Sequence, residues 1–329
     1  MNEAEYEIEI DVLRHVWRLV LIASSARMDA SSCDTNTRMS LAEATQNMSG
    51  THSGCFTVLR LNTESLTLTE RPDIESDGYS LNECEMVELC EGLIKCTSLE
   101  VLDLRKIIIK DQQAEKLKKS LGYLSALVEL NLDCCCIRID NITGLLKSTC
   151  LEQLCLGGNN MSTCIAKEWP KCARLRCVSL KGCCLGENLA QLCKRLVSSE
   201  CNTLQELCLS KNKEGLAASA ASVSTVLTMN TQLRALNLLS CELEGTRLTE
   251  VFNGLATCTL LHELNLGNNR VDTNLNGLVN SIKNISGSLQ HLHLGACGIG
   301  ADNMKHLCNV FAECLALETL KLMCNHVCV

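Results

Sequence analysis

The sequence is poor in aromatic residues, which make up 2% of its 329 residues, and it holds only two prolines, Pro72 and Pro170. Large cores usually draw much of their buried area from aromatic rings. The interior here must instead be filled by Leu, Ile, Val, Ala and Cys. No apolar run reaches the roughly 20 residues that a membrane-spanning helix needs. Positive charge is not in excess either: 30 Lys and Arg stand against 38 Asp and Glu, a formal net charge of -8. That balance argues against nucleic acid and anionic membrane as general partners. The N-terminus carries Glu3, Glu5, Glu7, Glu9 and Asp11 where a signal peptide needs basic residues, and Arg14, His15 and Arg18 interrupt its apolar stretch. A cytoplasmic setting is expected. No pair of cysteines has C-x-x-C spacing, so the usual signature of a structural zinc site is missing. The phosphate-cradling pattern G-x-x-x-x-G-K-[ST] is missing too, and no Ser/His/Asp or Cys/His constellation stands out. The expectation is a protein that is not an enzyme and holds no cofactor.

What is present points to a folded chain. The 46% apolar and 21% charged fractions are those of a sequence that buries a core. Cysteine occurs 25 times, and many of these residues fall at apolar positions of a repeating unit. A buried thiol behaves as a small hydrophobe, and a reducing compartment keeps it reduced.

The repeat decides the fold class. The pattern L-x-x-L-x-L-x-x-(N/C)-x-(L/I/V) starts at Leu99, Leu127, Leu151, Leu175, Leu204, Leu233, Leu261, Leu289 and Leu317, with successive spacings of 28, 24, 24, 29, 29, 28, 28 and 28 residues. A weaker copy starts at Phe56 (FTVLRLNTESL). L-x-L alternation predicts a short strand with its leucines on one side. Leu264 and Leu266 then point inward, while Glu263 and Asn265 point out. From the copy at Leu127 onward the ninth position is Cys135, Asn159, Cys183, Asn212, Cys241, Asn269, Cys297 and Asn325 in succession, an unbroken alternation over eight units. It falls in the turn after the strand, where a polar side chain satisfies backbone groups that the turn leaves unpaired.

Helical periodicity follows each strand: Leu248, Val251, Phe252 and Leu255 in one unit, and Met304, Leu307, Cys308, Phe311 and Leu315 in another. One strand and one helix per unit predict an α/β solenoid, with parallel strands inside a curve and helices outside. The 24-residue units have room for only a short helix. Residues 81–95 are expected to form a helix of an atypical first unit, residues 7–22 an amphipathic helix, and residues 24–54 a linker. The domain reading is an N-terminal segment, 1–54, followed by a repeat domain, 55–329. The last unit stops two residues after Val327 without a helix, as in a segment of something longer.

The 28- and 29-residue units with alternating Asn and Cys resemble the ribonuclease-inhibitor-type leucine-rich repeat. That class is shared by cytosolic ribonuclease inhibitor and the C-terminal repeat domains of NOD-like receptors. The resemblance implies a non-catalytic protein-interaction scaffold, with the sensing or autoinhibitory repeat region of a NOD-like-receptor relative as the leading reading. The alternative is a standalone cytosolic adaptor or inhibitor: an F-box-like substrate receptor, a ribonuclease inhibitor or a GTPase-activating repeat protein.

A protein partner is expected on the concave strand face, whose candidate residues are Asp103, Asn131, Ser179, Lys181, Asn237, Glu263, Asn265, His291, His293 and Lys321. His291 and His293 lie two apart on one strand beside Glu263, a juxtaposition able in principle to hold a divalent metal; a solvated polar patch is the plainer reading. No aromatic anchor of the kind that dominates tight interfaces occurs in these columns, which argues against ribonuclease inhibition. Leu264→Ala is expected to cost about 2–5 kcal/mol and Asn265→Ala little. Denaturant melts of the two variants check the strand register, and equal losses would contradict it.

Overall fold

The computed structural model describes residues 56–61, 65–70, 79–138, 150–162, 174–197 and 202–326. The expected helix over 7–22 and the linker over 24–54 lie outside them, as do residues 139–149 and 163–173 of the two short units. Two compact units are present, divided close to residue 138, with Glu152–Val329 in the second.

In the first unit, β1 (Phe56–Leu61) runs antiparallel to β2 (Ser65–Glu70). The strand β2 is parallel to β4 (Val101–Asp103), which is parallel to β6 (Glu129–Asn131). The weak repeat expected from Phe56 is therefore displaced. It is β2 that takes the repeat register, with Ser65 opposite Val101 and Leu66 opposite Leu102. The physical reason is the L-x-L alternation of Leu66 and Leu68, while the strand from Phe56 only pairs against it. A second short ladder joins β3 (Tyr79–Ser80) to β5 (Ile107–Ile108). The expected helix over 81–95 is α1 (Glu83–Lys95), begun by a capping box: the Asn82 side chain accepts from the Glu85 N–H, and the Glu85 carboxylate accepts from the Asn82 N–H. The helix α2 (Asp111–Leu121) turns Ala114, Leu117 and Leu121 inward.

Among its described residues the second unit carries seven parallel strands, β7 (Gln153–Cys155), β8 (Cys177–Ser179), β9 (Glu206–Cys208), β10 (Ala235–Asn237), β11 (Glu263–Asn265), β12 (His291–His293) and β13 (Thr319–Lys321), in chain order. Between them lie α3 (Asn188–Leu196), α4 (Lys213–Met229), α5 (Gly245–Leu255), α6 (Leu275–Ile285) and α7 (Ala301–Phe311). Strands about 4.8 Å apart are backed by helices about 10 Å wide, so the strand side of this unit is concave. This is the α/β leucine-rich-repeat solenoid that the spacing predicts. From Leu102 to Leu294 no inward strand residue exceeds 2% exposure. In α5 the stripe of Leu248, Val251, Phe252 and Leu255 is buried as expected. The stripe expected for α7 is only partly correct. Leu307 and Val310 are buried, but Cys308 is exposed and Leu315, past the helix end, is 94% exposed.

The turns after the repeat strands share one feature. The eighth residue, from Lys106 through Cys324, is left-handed in all nine copies, with φ between 53° and 71°, although seven of these residues are not glycine. Such a conformation costs about 1–2 kcal/mol. It turns the N–H of the eighth residue toward the next unit, as in Ser240 to the Gly267 carbonyl (2.9 Å) and Asn268 to the Gly295 carbonyl (2.8 Å). The tenth residue is left-handed as well, but only where the ninth is Cys: Cys136, Cys184, Glu242 and Gly298. Asn and Cys thus mark two different turns.

The two side chains do complementary work. Asn269 donates Nδ2 to the Leu238 and Leu266 carbonyls (2.7 and 2.9 Å), and its Oδ1 accepts from the Cys241 and Leu243 N–H groups (3.1 and 3.0 Å). Asn212 and Asn325 repeat this arrangement against Cys183 and Leu185, and against Cys297 and Ile299. The cysteines donate only: Cys241 to the Leu209 carbonyl (3.3 Å) and Cys297 to that of Leu266 (3.4 Å). Burial pushes the Cys241 thiol up to about 12 and that of Cys297 up to about 11, so both remain donors at neutral pH.

Because these thiols have raised values in the fold, they add stability that is complete below the ordinary thiol range and is lost as pH rises toward 11–12. Melts across pH 7 to about 11 are expected to be level up to roughly 8.5 and to fall beyond it. Asn269→Ala takes the side-chain partner from the Leu238 carbonyl and the Cys241 and Leu243 N–H groups, while the Leu266 carbonyl keeps the Cys297 thiol; it is expected to cost about 3 kcal/mol or more, against about 1 kcal/mol for Cys241→Ala, and urea titrations of both variants measure the difference.

Candidate interaction face

The strand face is positioned by register alone. Glu263, His291 and Thr319 stand opposite one another on β11, β12 and β13, and so do Asn265, His293 and Lys321. Adjacent strands are about 4.8 Å apart, so the two imidazoles are flanked by the Glu263 carboxylate on one side and the Lys321 ammonium on the other. The ring of His293 is held below the ordinary histidine value, first by partial burial and then by Lys321, with Glu263 opposing. Its neutral form is favoured in the fold, and that contribution to stability is lost as pH falls through the lowered value.

Ser179, Lys181 and Asn237 lie on the same face of the second unit, on or just after β8 and β10. Lys181, Glu263 and Lys321 are exposed, while Ser179, Asn237, Asn265, His291 and His293 are half-buried. Asp103 and Asn131 belong to the first unit. Asp103 is 6% exposed and is gripped by the Arg105 guanidinium, whose Nε lies 2.9 Å from Oδ2.

The outward Asn and Asp residues also have a local task that the sequence reading missed. Asn265 Oδ1 accepts from the Gly267 N–H (3.1 Å) and Asn237 Oδ1 from that of Leu239 (3.1 Å). Asn131 and Asp103 do the same for Asp133 and Arg105. These are Asx turns that bend the chain out of the strand. The signal that finds them is an Asx residue three positions before the left-handed residue, as in Asn265-Leu-Gly-Asn268.

Two further features of the face were not expected. Gly267 and Gly295 leave room for neighbouring apolar side chains: a Cβ on Gly267 would sit 3.0 Å from Leu239 Cδ1, and one on Gly295 3.2 Å from Met323 Cγ. Between β7 and β9, Cys177 lies 3.5 Å from the Glu206 carboxylate. Hydrogen bonding with Cys155, then burial and the Glu206 charge, raise its thiol far above the usual range, so it is a poor nucleophile.

Two hollows of about 350 and 330 Å³ lie away from the strand face. The larger is lined by Glu242, Glu244, Arg247 and Arg270 among others, and the smaller by Asp272, Asn274, Asn303 and His306 among others. Among the described residues no three His, Cys, Asp or Glu side chains come together as a metal site. The histidine pair and Glu263 are thus neighbours without forming a ligand set. No described helix is long and apolar enough to cross a membrane.

No family model matches the chain. Protein NLRC5 of Ictalurus punctatus is 27% identical over 260 residues, which is 74% of this chain and 14% of that protein. The repeat spacing and parallel strands give the chain the leucine-rich-repeat fold. The chain resembles the repeat regions of NOD-like receptors, and it spans about 14% of the length of that relative. Among solved structures, an internalin of Listeria monocytogenes (inlF) has a TM-score of 0.40 and 19% identity, covering 72% of this chain and 78% of that one. TLR13 in its complex with ssRNA13 has a TM-score of 0.45 and 19% identity, covering 77% of this chain and 32% of that one.

The Asx turns revise the expectation for Asn265. Asn265→Ala removes the acceptor of the Gly267 N–H and is expected to cost about 1 kcal/mol, measured by denaturant unfolding. A change near zero would show that solvent replaces the Asn265 oxygen at no cost. Lys321→Met is expected to raise the His293 value toward that of ordinary histidine, as read by NMR titration of the ring protons.

Proposed function

We propose that this chain is the sensing or autoinhibitory repeat region of a NOD-like-receptor-related protein of innate immunity. It works as a non-catalytic scaffold, with the repeats between residues 55 and 329 as its interacting part and the cytoplasm as its setting. The observation that carries the reading is the similarity to NLRC5 over 74% of the chain. The strand face supports it by its chemistry. The row of Glu263, Asn265, His291, His293 and Lys321 offers donors and acceptors held at strand spacing on a rigid, concave support. The apolar steps at Leu239 and Met323 border that row and supply desolvatable surface. A polar, weakly anchored face of this kind suits a regulated contact better than a permanent one.

The test compares affinity capture by the wild-type chain with capture by a variant carrying His291→Ser, His293→Ser and Lys321→Ser, under matched conditions. Bound proteins are quantified by mass spectrometry, and thermal melts confirm that both chains are folded. At least one protein retained by the wild type is expected to drop about tenfold with the variant, a loss of about 1.4 kcal/mol in binding. Identical sets of bound proteins would remove the strand face from the proposal.

A further inference from the structure

The smaller of the two hollows, about 330 Å³, lies in the second unit where the chain passes from the turn after β11 into α6. The sequence entering α6 is Asp272-Thr273-Asn274-Leu275-Asn276-Gly277. Its spacing is D-x-N-x-N-G, with a side-chain oxygen at every second position and a glycine after the third. The first half of a calcium-binding loop is written in the same way. The full loop ends in a bidentate Glu at its twelfth position, which here is Lys283, an exposed residue of α6. In the fold Asp272, Asn274 and Asn276 all reach the wall of this one hollow, and α7 adds Asn303 and His306 to it.

Two glycines make room for the oxygens. The Asp272 carboxylate lies against Gly298, which is left-handed with φ 73°, and a Cβ there would come within 2.8 Å of Oδ1. A Cβ on Gly277 would meet the Asn274 amide at the same distance, 2.8 Å. The orientation of that amide is set by its bonds: Nδ2 donates to Thr249 Oγ1 (2.8 Å), and Oδ1 accepts from the Gly277 N–H (3.1 Å). The Asn274 oxygen keeps a second lone pair. Asp272 differs from its neighbours. Among the described residues its Oδ1 is the one buried side-chain oxygen or nitrogen without a hydrogen-bond partner. A carboxylate oxygen left so is costly. Arg270 does not repair it, since its Nη2 stands 4.0 Å from the other oxygen, Oδ2.

We infer that this hollow binds a hydrated hard divalent cation, Mg²⁺ or Ca²⁺, with Asp272 as its charged ligand and the amide oxygens of Asn274, Asn276 and Asn303 around it. One carboxylate with neutral oxygen donors suits ions of this kind. The hollow has room for the waters that complete the shell, at about 30 Å³ each. His306 is left to that water shell, because imidazole favours softer metals. Two features weaken the site: the acidic twelfth residue is replaced by Lys283, and the dipole of α6 opposes a cation at its N-terminus. The affinity is accordingly about 10⁻³ M, the weak end of the range for such loops.

Thermal melts of the full chain in calcium chloride or magnesium chloride at about 10 mM, against sodium chloride of matched ionic strength, test this. At least one of the two ions is expected to raise the melting point by about 2 °C or more, and the larger rise identifies the ion. Asp272→Asn keeps the shape of the side chain and removes its charge, and it is expected to abolish the rise. Titration of the wild-type chain with the same salt, followed by NMR, is expected to shift the side-chain amide resonances of Asn276 and Asn303 in a saturable way. The absence of a rise with either ion, a rise undiminished in Asp272→Asn, or amide resonances that stay in place would each overturn the inference. None of these results depends on whether the strand face binds a protein.

Discussion

A chain that turns sharply out of a buried strand must find partners for backbone groups that no sheet or helix supplies. From the unit at Leu127 onward that constraint is met by one side chain per unit, the ninth. Without it, the carbonyls after each strand and the amides of each Cys-type turn are buried with nothing to bond, at a cost of about 1–3 kcal/mol for every group. The leucine core cannot form around such turns. The left-handed eighth residues, the Asx turns and the inward leucines are all arranged around it.

The same constraint ties units together. The bonds of Asn212, Asn269 and Asn325 reach back into the preceding Cys-type unit, and the thiols of Cys183, Cys241 and Cys297 reach back into the preceding Asn-type unit. Every interface therefore has a defined donor and acceptor sense, and the two kinds of interface alternate. Ion pairs along the rim, such as Lys213 with Glu242 and Arg270 with Glu244, join the same neighbours. They are exposed and add little by comparison. Cys135, Cys183, Cys241 and Cys297 fill the turns that call for a compact donor, and the raised ionisation of Cys135, Cys241 and Cys297 follows from the burial that the role requires.

The repeat, the inward leucines and the strand register of the histidine row were legible from spacing alone, because each rests on a period that the chain repeats, whereas the helix expected over 81–95 belongs to an atypical unit and its capping box at Asn82 was seen only in the structure. The position of the first strand was not. Phe56–Leu61 looks enough like the motif to compete, and only pairing with Val101–Asp103 shows that Ser65–Glu70 holds the place. The Asx role of Asn265 was hidden because an outward position looks like a ligand contact until the N–H of Gly267 is seen to need an acceptor. Left-handed backbone at Lys106, Lys211 and Ala296 gave no composition signal, since glycine was not chosen there. Leu315 was assigned to a core stripe by periodicity, but α7 ends at Phe311 before the stripe reaches it.

The face that carries the proposed protein contact is the other side of this construction: short strands, rigidly spaced by their turns, present polar groups in rows. Its rigidity rests on the turn bonds, so the central claim is tested at the turns. Native-state hydrogen exchange, followed at the amides of Cys241, Leu243, Cys297 and Ile299, measures directly whether the Asn oxygens hold them. The account predicts that all four exchange only through opening of the repeat stack, with protection comparable to that of Leu264 and Leu292 in the strands. Exchange as fast as in an exposed loop would contradict it.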